Sequence, residues 1–117
     1  MEHAGEGSAR LKEIQNLMEE LGREDPKEMG AYGQFIQSVL RGSHISVKEK
    51  ELIAVALSIS SQCEWCIPYH TKMALNAGAT REEIIDAGMV AVLMNGSPAL
   101  MHMIPLINAI DEFSHSR

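Results

Sequence analysis

Residues 46–84 read SVKEKELIAVALSISSQCEWCIPYHTKMALNAGATREEI, and this stretch contains the helix signals that decide the fold. It includes two pairs, Ser46 with Glu49 and Thr80 with Glu83, that have the S/T-x-x-E spacing of a capping box at a helix start. Apolar residues follow each pair at helical spacing. The stretch therefore predicts the third, fourth and fifth helices of the chain, which we place at about 46–59, at about 63–77 with a stop at Gly78, and from 80 onward.

Glycine, proline and capping residues delimit three more helices outside this stretch. No alternating strand pattern of useful length accompanies them. We therefore predict an all-α fold of about six helices in one domain, 1–117, with residues 1–8 as a frayed N-terminus. The first helix has Ser8 as its N-cap and Gly22 as its stop. The second has Asp25-Pro26 at its start, Glu28 as the capping-box partner and Gly42 as its stop. The sixth begins at Ser97-Pro98 and continues to about Phe113.

Composition and charge exclude several classes of function. Apolar residues make up 45% of the 117 residues and aromatic residues only 4%, which favours helices over a β-sandwich. The formal net charge is -6 with no basic cluster, so we expect neither a nucleic acid nor a membrane surface as partner. We see no apolar run of about 20 residues and no export signal, and we therefore expect a cytoplasmic protein.

The candidate chemistry lies in the C-x-x-C-x-x-x-H pattern formed by Cys63, Cys66 and His70. Without an export signal, such a pair is more often catalytic or metal-binding than structural. If the segment is helical, residues three and seven apart share one face, and two thiols three apart can reach disulfide geometry. A helix start stabilises a thiolate, and the imidazole one turn later can accept its proton.

Glu51 is the fourth candidate site residue. If the third and fourth helices pack antiparallel about a turn near Ser61, Glu51 lies ten residues before that turn and His70 nine residues after it. We expect the two side chains to lie at the same level, with the carboxylate partly buried. It would then orient His70 as a base, as the third member of a nucleophile, base and orienting group.

These residues resemble a known family. Their spacing resembles the redox and proton-relay motif of the AhpD-like alkylhydroperoxidases, within the carboxymuconolactone decarboxylase-like superfamily. The matching pattern is Glu51, eleven intervening residues and then Cys63-x-x-Cys66-x-x-x-His70. The segment from Thr71 to Ile84 looks like the family's continuation of this motif. The resemblance covers about 45–95, and Trp65 departs from the His that many relatives carry between their cysteines.

The resemblance implies an all-α homo-oligomer, a trimer or hexamer, that reduces hydroperoxides with a dithiol. It implies that Cys66 attacks the peroxide and forms a sulfenic acid, that Cys63 resolves it to a disulfide, and that His70 and Glu51 relay the proton. A dithiol reductant, in some members a lipoylated protein, restores the thiols. No cofactor is predicted.

Other interpretations of the same residues stay open. Two thiolates, an imidazole and a carboxylate could form a tetrahedral zinc site, or the cysteines could be two small buried residues without chemistry. The chain could also be a redox-sensing oligomer whose assembly changes on disulfide formation. A cofactor-free lactone decarboxylase is less well supported, because the true decarboxylases do not resemble this chain at the cysteine pair and no Arg cluster suggests a carboxylate pocket.

The predicted fifth and sixth helices are apolar around much of their circumference. A single domain of this length cannot cover every face of both helices. Exposed apolar surfaces of that size usually mark partner surfaces, which is a second reason to predict a homo-oligomer.

Overall fold

A computed structural model describes residues 5–114, and these residues form α-helices joined by short turns with no strand among them. The all-α prediction is confirmed. In chain order the helices are α1 (Glu6–Glu24), α2 (Pro26–Leu40), α3 (Val47–Ser60), α4 (Cys66–Asn76), α5 (Arg81–Asn95), α6 (Ser97–Met101) and α7 (Met103–Ser114).

The hydrophobic core lies among α3, α4, α5 and α7. Helix α3 packs against α4 and α5, and α4 also packs against α7. Helix α1 contacts α4 and α7, whereas α2 contributes no buried residue. The α3–α4 pair that is predicted to carry the site therefore lies at the centre of the packing. The largest fully buried side chains are Val55, Ile59, Ile67, Thr71, Ile84, Leu106 and Ile110.

Both capping boxes of the central stretch are confirmed. The Ser46 hydroxyl accepts the backbone N–H of Glu49, and the Glu49 carboxylate accepts the backbone N–H of Ser46 in return. Thr80 and Glu83 form the same reciprocal pair at the start of α5. These pairs satisfy backbone donors that the first turn of a helix leaves without partners. Gly78 has the predicted left-handed conformation, with φ 96°.

The predicted N-terminal boundary is wrong. Residues 1–4 lie outside the described residues, but α1 already begins at Glu6, so Ser8 is inside the helix and does not cap it. Gly7 is buried, and its backbone N–H donates to Glu112 Oε1 at 3.0 Å. A carboxylate from α7 thus supplies the cap, and a partner 105 residues away leaves no local signal in the sequence.

The predicted capping box at Asp25 and Glu28 does not form. Asp25 makes no side-chain cap hydrogen bond, although Pro26 does occupy the first position of α2 as predicted. The same residue closes α1, which continues past Gly22, by donating its backbone N–H to Leu21. Its ψ is 62°, whereas the two residues that do cap by side chain have ψ near 160°. Ending one helix therefore orients Asp25 unsuitably for starting the next.

The predicted sixth helix is divided into α6 and α7 at His102. Pro105 explains the break, because a proline has no N–H to donate to the carbonyl four residues earlier and its ring crowds that carbonyl. The chain consequently has seven described helices where the sequence predicts about six.

Apolar side chains on α3, α5, α6 and α7 remain exposed, as the sequence predicts for its last two helices. Leu93, at 80% exposed, is the extreme case. This face fits the expected homo-oligomer, which stays a prediction. No helix within residues 5–114 is long and apolar enough to cross a membrane. The exposed apolar side chains on these four helices include Ile53, Leu57, Met89, Val90, Leu93, Met94, Leu100, Met101 and Ile104.

Candidate active site

The two cysteines lie at the turn between α3 and α4 and are joined by a disulfide. Their Cα atoms are 5.2 Å apart, which is within the range of disulfide geometry. Helix α4 begins at Cys66, not at Cys63 as predicted, because Gln62 adopts a left-handed conformation with φ 57° and separates the two helices. Cys63 is thus a turn residue, and the cysteines do not share a helix face.

The start of α4 is arranged around Cys63. The Cys66 backbone N–H donates to Cys63 Sγ at 3.1 Å, and the Ile67 N–H donates to the Cys63 carbonyl. Pro68 is the third residue of the helix, where a missing N–H costs little because the first-turn donors have no intrahelical partner. The Cys63 sulfur therefore occupies the place of a helix-capping acceptor, where negative charge is stabilised.

His70 and Glu51 are in contact, as the register of the two helices predicts. Glu51 is buried at 4% exposed, and its Oε1 lies 2.8 Å from His70 Nδ1. A carboxylate can only accept, so Nδ1 carries the proton in this contact and Nε2 points away from Glu51. The His70 side chain is 22% exposed to solvent. Glu51 therefore fixes both the orientation and the tautomer of a partly accessible imidazole.

Tyr69 is a site residue that the sequence analysis missed. Its ring meets the His70 ring edge to face, with centroids 5.0 Å apart and an interplanar angle of 83°. Burial raises the pKa of Tyr69 above its usual value of 10.0, and the nearby negative charge of Glu51 adds to this shift. The sequence shows that Tyr69 precedes His70, but only the side-chain conformations in the structure show that the two rings pack together.

The raised pKa of Tyr69 leads to a prediction about alkaline pH. Tyr69 should ionise above pH 10 in the folded protein. Because the unfolded chain releases this proton at lower pH, the stability of the fold should fall as pH rises from 10 through the folded pKa. Ultraviolet titration of phenolate absorbance should show the late component in the wild type and lose it in Tyr69→Phe. Persistence of that component in the variant would contradict the assignment.

The residues between the cysteines are attached to α1. Trp65 Nε1 donates to Glu13 Oε1 at 2.8 Å, and Arg10 lies over the Trp65 ring with its Cζ 5.5 Å from the centroid. Arg10 also pairs with Glu64 at 2.9 Å and with Glu13 at 3.0 Å. In the sequence, Arg10 and Glu13 have the i,i+3 spacing of a pair on one helix, but nothing there indicates that the pair contacts Glu64 and Trp65. These contacts hold the turn between the cysteines against the first helix.

A groove of about 740 Å³ runs between the α1–α2 pair and α4 and reaches the cysteine pair. Cys66, Tyr69 and His70 line it, whereas Cys63 does not. Volumes of this size are typical of small-molecule sites. A ligand in the groove would therefore contact both Cys66 and His70.

The arrangement provides a dithiol–disulfide pair, a histidine with a fixed tautomer and a buried carboxylate behind it. Cys63 is bonded to Cys66, His70 contacts Glu51, and Cys66 and His70 line the same groove. Among residues 5–114, no group of three or more His, Cys, Asp and Glu side chains is placed to hold a metal ion. The chemistry available to this set is reversible thiol oxidation with proton transfer.

Comparison with family models gives a match over residues 26–109 to the model described as the carboxymuconolactone decarboxylase family. An uncharacterised protein of Cupriavidus necator is 33% identical over 93 residues, which are 80% of this chain and 82% of that protein. The alkyl hydroperoxide reductase AhpD of Mycobacteroides abscessus is 26% identical over 70 residues, which are 60% of this chain but only 40% of that protein.

Solved structures show the same fold. The apo form of a carboxymuconolactone decarboxylase family protein from Legionella pneumophila has a TM-score of 0.92 and 32% identity, covering 95% of this chain and 99% of that one. A second protein of that family, from Thermotoga maritima, has a TM-score of 0.81 and 25% identity, covering 92% and 91%. Its description suggests a role for it in the antioxidative response.

Proposed function

The chain belongs to the carboxymuconolactone decarboxylase family, and we propose that within it the protein acts as an AhpD-like, thiol-dependent hydroperoxide reductase. One observation carries the proposal: Cys66 of the Cys63–Cys66 disulfide lines an open groove together with His70, whose imidazole contacts a buried carboxylate. A relative that is named an alkyl hydroperoxide reductase supports the same activity.

The proposed reaction begins with Cys66, the cysteine that lines the groove. Its thiolate attacks the terminal oxygen of a hydroperoxide, so that an S–O bond forms and the O–O bond breaks. The products are an alcohol, once the leaving alkoxide has taken a proton, and a Cys66 sulfenic acid. Cys63 then attacks the Cys66 sulfur, and a disulfide forms as hydroxide leaves and is protonated to water. Two thiols and one hydroperoxide thus give one disulfide, one alcohol and one water.

His70 supplies the proton transfers in this proposal. Its Nε2 takes the thiol proton of Cys66 and returns a proton to the leaving alkoxide, while Glu51 stabilises the imidazolium that forms between the two steps. The 2.8 Å contact between Glu51 and Nδ1 supports this division of roles, because it leaves Nε2 as the nitrogen free to exchange protons.

Recovery of the thiols needs an external dithiol, which we propose enters by the same groove. A thiolate of the reductant attacks Cys66, the accessible sulfur, and Cys63 leaves as a thiolate. The N–H that Cys66 donates to Cys63 Sγ stabilises that leaving group. The second thiol of the reductant then releases Cys66, so the reductant ends as a disulfide. A lipoylated protein is the proposed donor, and a homo-oligomer in the cytoplasm is the proposed setting.

A steady-state assay of peroxide consumption tests this function. Protein supplied with tert-butyl hydroperoxide and excess dihydrolipoamide should consume several equivalents of peroxide per chain, with one dithiol oxidised for each peroxide. Stoichiometric zinc in protein purified without added metal would contradict the proposal and favour the metal site. A change of oligomeric state on oxidation, with less than one turnover, would favour the redox sensor.

A further inference from the structure

The groove differs in charge from the rest of the molecule. The chain has 16 acidic and 10 basic residues, yet no Asp or Glu is among the described residues that line the groove. Among residues 5–114, Lys72 is the only Lys or Arg that lines the groove. A carboxylate that enters the groove therefore meets one lysine and no Asp or Glu among the described lining residues. The apolar part of the wall consists of Leu11, Ile14, Met18, Tyr32, Phe35, Ile36, Val39, Leu40, Trp65 and Met73.

Lys72 is available to such an anion. Its ammonium lies over the Phe113 ring, with Nζ 5.5 Å from the centroid, and within residues 5–114 it has no carboxylate at salt-bridge distance. Three other cations of the described residues do have such a partner: Arg10 with Glu13, Lys48 with Glu83 and Arg81 with Asp111. A contact with a ring face is weaker than a charge-assisted hydrogen bond, so a ligand carboxylate can draw the ammonium away from Phe113.

Lys72 and the reactive sulfur are separated along one helix. Cys66 and Lys72 are both on α4, six residues apart, which corresponds to about 9 Å along the helix axis. A ligand that is long enough to reach both residues can place an anionic end at Lys72 and another part at Cys66. The apolar residues of α1 and α2 cover the space on the opposite side of the groove.

We propose that the groove binds an alkyl hydroperoxide whose apolar chain ends in a carboxylate, with the carboxylate on Lys72 and the peroxide oxygen at Cys66. This inference rests on the proposed function and narrows its substrate to fatty-acid-type hydroperoxides. The carboxylate takes no part in the reaction, in which the O–O bond is still reduced by Cys66 and the peroxide leaves as the hydroxy acid. Lys72 is a binding residue here and not a catalytic one.

Trp65 gives a test of binding that does not depend on catalysis. It is the single tryptophan of the chain and lines the groove, so its fluorescence reports on occupancy. Decanoate, titrated below its micelle concentration, should shift the Trp65 emission saturably, and 1-decanol should bind at least about tenfold more weakly, because it lacks the charge that the ammonium pairs with. The same measurement applies to Lys72 variants.

Lys72→Gln should weaken decanoate binding at least about tenfold and leave 1-decanol unchanged, whereas Lys72→Arg should retain the preference for the carboxylate. Lys12→Gln, which removes the same charge from an exposed position on α1 outside the groove, should bind decanoate as the wild type does. Equal binding of decanoate and decanol by the wild type, or equal losses in Lys72→Gln and Lys12→Gln, would overturn the proposal. If a second copy of the chain covers the groove, decanoate will cause no change in Trp65 emission. That result would also overturn the proposal.

Kinetics separate this inference from the function on which it rests. In Lys72→Gln, kcat/KM for a carboxylated alkyl hydroperoxide should fall at least about tenfold more than kcat/KM for tert-butyl hydroperoxide. Wild-type turnover of tert-butyl hydroperoxide without any preference for the carboxylated substrate would overturn the inference and leave the function intact. Selective binding of decanoate without oxidation of either cysteine by any hydroperoxide would instead overturn the function.

Discussion

Cys66→Ser is expected to lower hydroperoxide turnover by more than about a thousandfold, because it removes the nucleophile that the groove exposes. A serine hydroxyl has a much higher pKa than a thiol, and it does not form the oxygen adduct that starts the cycle. The variant should keep its fold, since Cys66 is only partly buried and its backbone N–H remains. The measurement is peroxide consumption with excess dithiol, with circular dichroism to verify the helices.

Cys63→Ser is the matched control, because it removes the same disulfide from the other side. Without added dithiol it should consume about one peroxide per chain and then stop, with Cys66 left as a sulfenic acid that a dimedone-type reagent captures. The two variants thus lose turnover for different reasons. Multiple turnovers in Cys66→Ser, or a captured sulfenic acid on Cys63 of that variant, would show that the roles of the two cysteines are the reverse.

His70→Gln is expected to slow oxidation of Cys66 by about 10²–10⁴-fold, which is the usual contribution of a general acid–base group. Glutamine can still donate to Glu51, so the buried carboxylate is not left without a partner. Glu51→Gln removes the charge that holds the imidazole and should cost about 10–100-fold. The rate constant for thiol loss after mixing with hydroperoxide measures both effects.

The combined variant tests whether the two residues act as one unit. Because Glu51 acts only through His70, the double substitution should be no slower than His70→Gln alone. Glu82→Gln, an exposed carboxylate on α5, is the control and should react as the wild type does. Losses that multiply in the double variant would contradict a relay and indicate that Glu51 affects the site independently.

Most of the fold could be predicted from local signals. Ser46 with Glu49 and Thr80 with Glu83 specify helix starts within four residues, and Gly78 marks a stop by its left-handed backbone. The contact between Glu51 and His70 also followed from local information, because a short turn between antiparallel helices fixes which residues lie level. Secondary structure and a hairpin register were enough for this part of the site.

Features that depend on distant partners could not be predicted. The start of α1 is capped by Glu112 of α7, and Trp65 is held by Glu13, so the residue that completes each contact is 105 or 52 positions away. The predicted start of α4 is wrong for a different reason. The left-handed conformation of Gln62 moves the start to Cys66, and glutamine rarely signals such a turn. The groove itself depends on how α1 and α2 pack beside α4, which no single stretch encodes.

The central claim is that Cys63 and Cys66 form a peroxide-reactive dithiol. The measurement that tests it most directly is mass spectrometry of the fully reduced, metal-free protein before and after one equivalent of an alkyl hydroperoxide. We expect loss of both thiols within seconds, a mass decrease of about two daltons for two lost hydrogens and a Cys63–Cys66 link in the peptide map. Two thiols that survive the peroxide unchanged would contradict the claim.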